Sequence, residues 1–376
     1  MNVLIILSDN VYLTPYLSYY TDLLEHNSID YDVMYWDKNK NEFISNNKYY
    51  RFSINKSGYI NKLIGYIKYK HIILRQISKK SYDLIIPLHP QTSFIIYKKL
   101  IKKFHKKYIF DIRDYSYEKH YLYRKIEKKL INNSLLNVIS SPGYKKFLPQ
   151  GNYYICHNVP NEKNINVYQE NRRDINKKIQ ISYIGLIRFM EQNIKIINFF
   201  KNDSRFQLNF IGTNSKKLEE YCKKNNIKNV KLIDTFPKNK TLEYYKQADI
   251  IMNLYGNNTP LLNYALSNKL YYSACLYKPI LVCPKTYMSE IVSKYNLGYE
   301  LYMKEKKELD DLYKYYNEID INSFKNNSQK FISEVYQENN KLTKKITNEL
   351  LRLKKECKTW AEERFHQQSF ADCPDI

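Results

Sequence analysis

The sequence predicts an α/β protein of two domains, each built on a parallel sheet. Three observations predict it. Short runs rich in Ile, Val, Leu and Tyr recur along the chain and end at glycine or polar loops, as buried strands entering turns do. Segments of helical period alternate with these runs in both halves, and strand–helix–strand order implies right-handed parallel crossovers. Between the halves, residues 162–178 are polar and carry no apolar period, which reads as an interdomain connection.

At 376 residues the chain is long enough for two sizeable cores. Residues 3–7 form a first strand, followed by Ser8-Asp9-Asn10. A helix is expected over 12–25, with Pro15 in its first turn, and a second strand over 31–34. The loop after the first strand lacks the paired glycines of a dinucleotide fingerprint, so the nucleotide is not expected in this half. Helices follow at 61–80 and 93–107. Strands at 82–87 and 108–112 lead into His89 and into Arg113-Asp114, and a strand at 137–140 leads into a helix at 144–148. Ligands in open α/β sheets bind beyond the carboxyl ends of strands. Asp9, His89, Arg113 and Asp114 are therefore candidates for one site, the alternative for each being a capping or ion-paired loop residue.

The second half carries strands at 179–184, 207–211, 230–233, 250–254 and 280–283. Helices are expected near 194–202, 215–225, 240–247, 260–274 and 288–294. Two strands end in glycine turns, at Gly185 and Gly212-Thr213. With only 8 glycines in the chain, each marks a backbone need. Such a turn either ends a strand or lets a phosphate approach the backbone and a following helix start. Arg188, three residues past Gly185, can fork onto a diphosphate. Asp234 ends the third strand of this half, and Thr259 caps a helix opened by Pro260. A charged helical segment runs over 323–355. The stretch 358–376 differs in composition and reads as unstructured or foreign to the fold.

The formal net charge of +23 favours a polyanionic partner: nucleic acid, an anionic membrane or a phosphorylated substrate. No zinc-finger, RRM or helix-turn-helix pattern is present, so membrane attraction is preferred. The lysine-rich helices 61–80 and 93–107 are the candidate membrane patch, the alternative being solvated helix faces. The six cysteines show no CxxC spacing, and no apolar run reaches 18 residues. A reducing cytoplasm and no membrane span are expected. No Asp-x-Asp pair is placed to bind a metal.

Five pieces, in order, resemble the GT-B glycosyltransferases that build bacterial capsule, exopolysaccharide and O-antigen units, a family 4-like group. They are His157-Asn-Val-Pro-Asn, Tyr183-Ile-Gly-Leu-Ile-Arg, Phe210-Ile-Gly-Thr, the Phe236-Pro-Lys segment running on to Leu242-Glu-Tyr-Tyr-Lys-Gln-Ala-Asp, and 268–282, which opens Asn268-Lys269-Leu. The family often carries two glutamates eight residues apart. Here those positions are Tyr264 and Tyr272, and the glycine of its Gly-Lys-Pro is Tyr277.

The resemblance implies two Rossmann-like domains facing a central cleft, with a C-terminal helix returning to the first. It divides the chain into an acceptor domain (1–160), a connection (161–178), a nucleotide-sugar donor domain (179–322), a returning helical segment (323–357) and a tail (358–376). It implies sugar transfer from a nucleotide sugar, UDP-linked by preference, to a lipid-linked or oligosaccharide acceptor. The site would be the inner face of the cytoplasmic membrane, with no metal or other cofactor and no nucleic acid. Gly185, Arg188, Gly212, Thr213, Asp234, Thr259, Asn268 and Lys269 would bind the donor, with Asp114, His89 or Asp9 as base if the enzyme inverts. A non-catalytic partner in a polysaccharide-synthesis complex is the alternative that the two tyrosines favour. A basic nucleic-acid-binding protein is the other.

Overall fold

The computed structural model describes residues 1–54, 58–160 and 177–371, which form two compact units. The expected connection, and Asn161 with it, lies outside the described residues except for Lys177 and Lys178. The first unit comprises Met1–Cys156 and the end of the chain from Glu338; the second runs His157–Gln337.

In the first unit the elements are β1 (Asn2–Leu7), α1 (Leu17–His26), β2 (Asp30–Trp36), β3 (Tyr49–Phe52), α2 (Tyr59–Lys79), β4 (Leu84–Leu88), α3 (Pro90–Ile95), α4 (Tyr97–Lys103), β5 (Ile109–Ile112), α5 (Tyr121–Asn133), β6 (Leu136–Ile139) and β7 (Tyr153–Ile155). The strands form one parallel sheet in the order β3-β2-β1-β4-β5-β6-β7. β1 after Asn2 and all of β4 are apolar and buried, as central strands covered on both faces must be.

The second unit holds β8 (Ile179–Ile184), α6 (Met190–Phe200), β9 (Phe206–Ile211), α7 (Glu219–Lys224), β10 (Val230–Ile233), α8 (Thr241–Gln247), β11 (Ile250–Asn253), α9 (Pro260–Tyr264), α10 (Asn268–Cys275), β12 (Ile280–Val282), α11 (Tyr287–Lys294), β13 (Gly298–Glu300) and α12 (Lys307–Glu318). Its parallel sheet runs β10-β9-β8-β11-β12-β13. Both sheets thus reverse direction beside their first strand, β1 against β4 and β8 against β11. The crevice at such a reversal is where doubly wound sheets bind ligands.

A final helix, α13 (Ile321–Ala371), begins in the second unit and ends in the first. Phe331 and Val335 enter the core around α10. Leu342, Ile346, Leu350 and Leu353, at spacings of three and four, enter the core around α1 and β1.

Several elements differ from the sequence expectation. The helix expected at 12–25 is a short turn, Val11–Leu13, followed by α1 from Leu17. Pro15 has no N–H to carry the helix through, and the Glu42 carboxylate takes the N–H groups of Val11 and Tyr12. The helix expected at 93–107 is two, breaking at Ile96, whose φ of −114° is not helical. The helix expected at 260–274 breaks into α9 and α10, because Ser267 caps a new start. The segment expected as a helix at 144–148 is a 3-10 turn, Pro142–Lys146. α13 continues through Ala371, so the stretch from 358 to that point is helical rather than unstructured. Among the described residues no helix is long and apolar enough to cross a membrane, and the described cysteines are free.

Candidate functional site

In the second unit, β8 delivers its carboxyl end to Gly185, which takes φ +118°. A Cβ at Gly185 would meet nothing closer than Lys269 Nζ at 3.9 Å, so the turn is open on that side. Gly212 is different. At φ +134°, a Cβ there would lie 2.0 Å from the Gly185 carbonyl oxygen. Its bareness lets the ends of β8 and β9 approach each other, with Gly185 N donating to Ile211 O at 2.9 Å and Ile187 N to Thr213 O at 2.9 Å. Gly212 therefore shapes the turn from beneath.

The turn itself is held by Tyr183. Its hydroxyl donates to Leu186 O at 3.0 Å and accepts from Arg188 N at 3.2 Å. Buried Asn193, in the first turn of α6, donates to Arg188 O at 2.7 Å. Main chain on both sides of Arg188 is thus fixed while its side chain is exposed to solvent. A long cation on a fixed backbone is suited to meet an arriving anion.

Lys269 lies under this turn. It is 6% exposed, and its ammonium donates to Ile184 O at 2.7 Å. The ammonium sits 4.8 Å from the Tyr183 ring centroid and 5.4 Å from that of Tyr255. Among the described residues no carboxylate lies within ion-pair distance of it. Burial pushes its pKa down to about 8, partly opposed by Tyr183 and reinforced by the Arg188 charge. A buried amine with one carbonyl, two rings and no counter-ion is a costly arrangement for a fold alone. The sequence identifies Lys269 but not its burial, since lysine ordinarily reads as surface.

The other expected donor residues are more peripheral. Thr213 and Thr235 share a hydrogen bond of 3.0 Å at the ends of β9 and β10. Asp234 is half-buried, 3.8 Å from Lys216 Nζ. Thr259 caps α9 by accepting from Leu262 N at 3.3 Å, and Asn268 is exposed at the start of α10. Tyr272 stacks on Tyr245 at 4.0 Å and 9°, so this position is used in packing. Tyr277 adopts φ +53°, the left-handed conformation a glycine would take at the same point.

In the first unit, β4 leads into His89, which adopts φ +75° and is half-buried, with its Nε2 enclosed and unpartnered among the described residues. Burial pushes its pKa down to about 4, with Asp111 and Asp9 opposing. The Tyr16 ring lies 5.5 Å from the His89 ring, with its own hydroxyl buried and unpartnered. Arg113 stacks over Tyr16 at 4.3 Å. The expected open role of Arg113 is not what its side chain does: it is buried in a double contact with Asp111, at 2.6 and 2.8 Å. The Tyr20 hydroxyl donates to the same carboxylate at 2.5 Å. Asp9 pairs with Lys38 at 3.0 Å, and Asp114 is exposed. Sequence reading missed Tyr16 and Asp111; neither sits in a motif, and topology alone brings them to His89. Among the described residues no group of three or more His, Cys, Asp or Glu is arranged to hold a metal ion.

No protein-family model matches the sequence, and no curated protein matches it either. Solved structures do match over nearly the whole chain. Sucrose-phosphate synthase from Thermosynechococcus elongatus is 10% identical at a TM-score of 0.66, covering 96% of this chain and 99% of its own. HepE of Anabaena, solved with UDP and glucose, is 12% identical at a TM-score of 0.60, covering 92% and 99%. The lipopolysaccharide outer core galactosyltransferase WaaB is 13% identical at a TM-score of 0.61, covering 94% and 99%. These neighbours are GT-B glycosyltransferases, and the fold of this chain is the GT-B fold.

Proposed function

We propose that the chain is a glycosyltransferase taking its sugar from a nucleotide sugar, UDP-linked by preference. The observation that carries this reading is the open Gly185 turn with Arg188 above and buried, carboxylate-free Lys269 below, at the topological reversal of a GT-B sheet. Two cations converging on one turn suit a departing nucleoside diphosphate, whose charge grows as the glycosidic bond breaks. Thr213, Asp234, Thr259 and Asn268, more peripheral in the same unit, would hold base, ribose or sugar. HepE, a structural neighbour, binds UDP and UDP-glucose, which supports the nucleotide class.

The acceptor would be bound by the first unit. His89 is held neutral with an enclosed, unpartnered nitrogen, and its role would be to position a sugar hydroxyl that displaces the side chains covering it. A group that weakly basic gives little drive for proton removal near neutral pH. Asp114, exposed at the same sheet edge, would be the base if transfer inverts, with Asp9 restrained by Lys38. The acceptor is assigned as a lipid-linked surface-polysaccharide precursor at the cytoplasmic membrane face, on the strength of the basic helices. A second reading, a nucleotide-sugar-binding partner without catalysis, is favoured by Tyr272, which packs on Tyr245 where the family often offers a carboxylate.

Thermal denaturation against UDP-, GDP-, CMP- and TDP-sugars tests the reading, with Arg188→Ala alongside. A ligand at 100 times its dissociation constant adds about 2.7 kcal/mol. One nucleotide class stabilising the wild type but not the variant is expected. No shift with any class, from folded protein, overturns the reading. A shift without transfer or sugar release in the presence of membrane extract leaves the non-catalytic alternative.

A further inference from the structure

The first unit carries an exposed apolar ridge that neither its core nor the proposed site uses. On α2, Leu63 is 59% exposed, with Ile64 and Ile67 exposed beside it. At the start of α5, Tyr121 and Leu122 are 76% and 72% exposed, and Tyr117 in the loop before it is exposed as well. The two groups are neighbours. α2 packs beside α3, which packs on α5, and Tyr66 on α2 lies close enough to Tyr117 to interact electrostatically. α2 is not exposed by default, because its other face is tightly docked: a Cβ at Gly65 would fall 2.5 Å from the Trp36 ring. The exposed row is therefore a surface feature of a fixed helix.

Charge says what covers it. α2 and α4 contain no acidic residue, and the one acid of α5, Glu127, is buried. The same helices expose Lys68, Lys70, Arg75, Lys102, Lys125 and Lys128. Apolar side chains ringed by cations, with no exposed acid on the helices that bear them, form the pattern of an interfacial surface for anionic lipid. A protein partner would have to be both acidic and apolar over the same area; an anionic bilayer is both by construction.

We infer that the Leu63–Ile64–Ile67 ridge of α2, together with Tyr117, Tyr121 and Leu122, enters an anionic bilayer while the surrounding lysines and arginines engage its headgroups. This rests on the reading of a membrane-borne acceptor and names the surface that meets the membrane. It differs from purely electrostatic attachment in a measurable way, since inserted side chains leave a salt-resistant component.

The test is flotation of the full-length chain with vesicles of phosphatidylcholine alone and of phosphatidylcholine with 30 mol% phosphatidylglycerol, a composition chosen at about the anionic level where basic surfaces bind. The wild type, Leu63→Ser/Ile67→Ser and Lys68→Gln/Lys70→Gln are compared at low and high salt, with Tyr336→Ser as an exposed-apolar control from the second unit. Expected are binding to anionic vesicles only, at least a tenfold loss in the Leu63/Ile67 variant with the residual binding more salt-sensitive than the wild type's, weaker but less salt-sensitive binding in the lysine variant, and no loss at Tyr336. Equal binding of the Leu63/Ile67 variant and the wild type overturns the proposal, as does absence of binding to anionic vesicles by folded wild type. A lipid-free dimer dissolved by Leu63→Ser/Ile67→Ser also overturns it, assigning the ridge to a second copy of the chain. Nucleotide binding, measured on the same proteins without lipid, separates a failed docking surface from a failed transferase reading.

Discussion

Replacing Lys269 by methionine should move stability and ligand binding in opposite directions. The amine has a pKa of about 8 in the folded chain against 10.5 as the ordinary value. Each pKa unit is about 1.36 kcal/mol, so keeping this group charged at pH 7 costs the fold about 3 kcal/mol. Lys269→Met removes that cost and keeps the length of the side chain, but leaves Ile184 O without its donor, a loss of about 1–3 kcal/mol. The free protein should therefore be unchanged or up to about 2 kcal/mol more stable in urea denaturation, by the difference of these two quantities. Removing one member of a buried charge pair costs a complex about 2–5 kcal/mol, so nucleotide affinity should fall by about 30-fold or more. The pH dependence has a definite sign. Between about pH 8 and 10.5 the unfolded chain holds the proton and the folded chain does not, so wild-type stability rises across that window. Diphosphate affinity falls across it, because binding must then supply the proton, and both slopes vanish in the variant. Titration calorimetry with UDP from pH 7 to 10 reads the affinity. A Lys269→Met protein that binds UDP as tightly as the wild type, or that is destabilised by several kcal/mol, would refute the reasoning.

The two glycines of this turn should separate cleanly. Gly212→Ala drives a Cβ to 2.0 Å from Gly185 O, so a loss above about 3 kcal/mol or failure to fold is expected in urea denaturation. Gly185→Ala has room and meets only backbone strain at φ +118°, costing about 1–3 kcal/mol, with its larger effect on nucleotide affinity. His89 titrates at about 4 in the fold against 6.5 ordinarily. The unfolded chain thus binds the extra proton between those values, and stability is lost as pH falls from 6.5 to 4, by about 3 kcal/mol in all. His89→Asn should flatten that segment of the stability profile. Asp111→Ala leaves Arg113 buried without its carboxylate, and about 3–5 kcal/mol of stability should disappear.

The parallel α/β order was legible because the central strands are continuous apolar runs with turn residues at fixed ends. β3 was not: Tyr49-Tyr-Arg-Phe is an edge strand with only Phe52 buried, so it carries no strong period. α5 was missed because lysines fill its exposed face, leaving Tyr123, Leu130 and Ile131 as the sparse apolar signal. At the site, Gly185 and Arg188 stood out through spacing alone. The reason for Tyr183 did not, since a tyrosine ending a strand reads as core, and only the fold returns its hydroxyl to Leu186 and Arg188. Arg113 was misread for the complementary reason: a loop arginine looks available until Asp111, two residues earlier on the strand, is seen to face it.

The central claim is that the Gly185 turn, Arg188 and Lys269 hold a nucleoside diphosphate. A crystal structure of the chain soaked with UDP tests it most directly. Expected is a diphosphate oxygen at about 2.7–3.2 Å from Lys269 Nζ, with Arg188 folded onto the same group. A nucleotide bound elsewhere, with Lys269 still engaged only by Ile184 O, would contradict it.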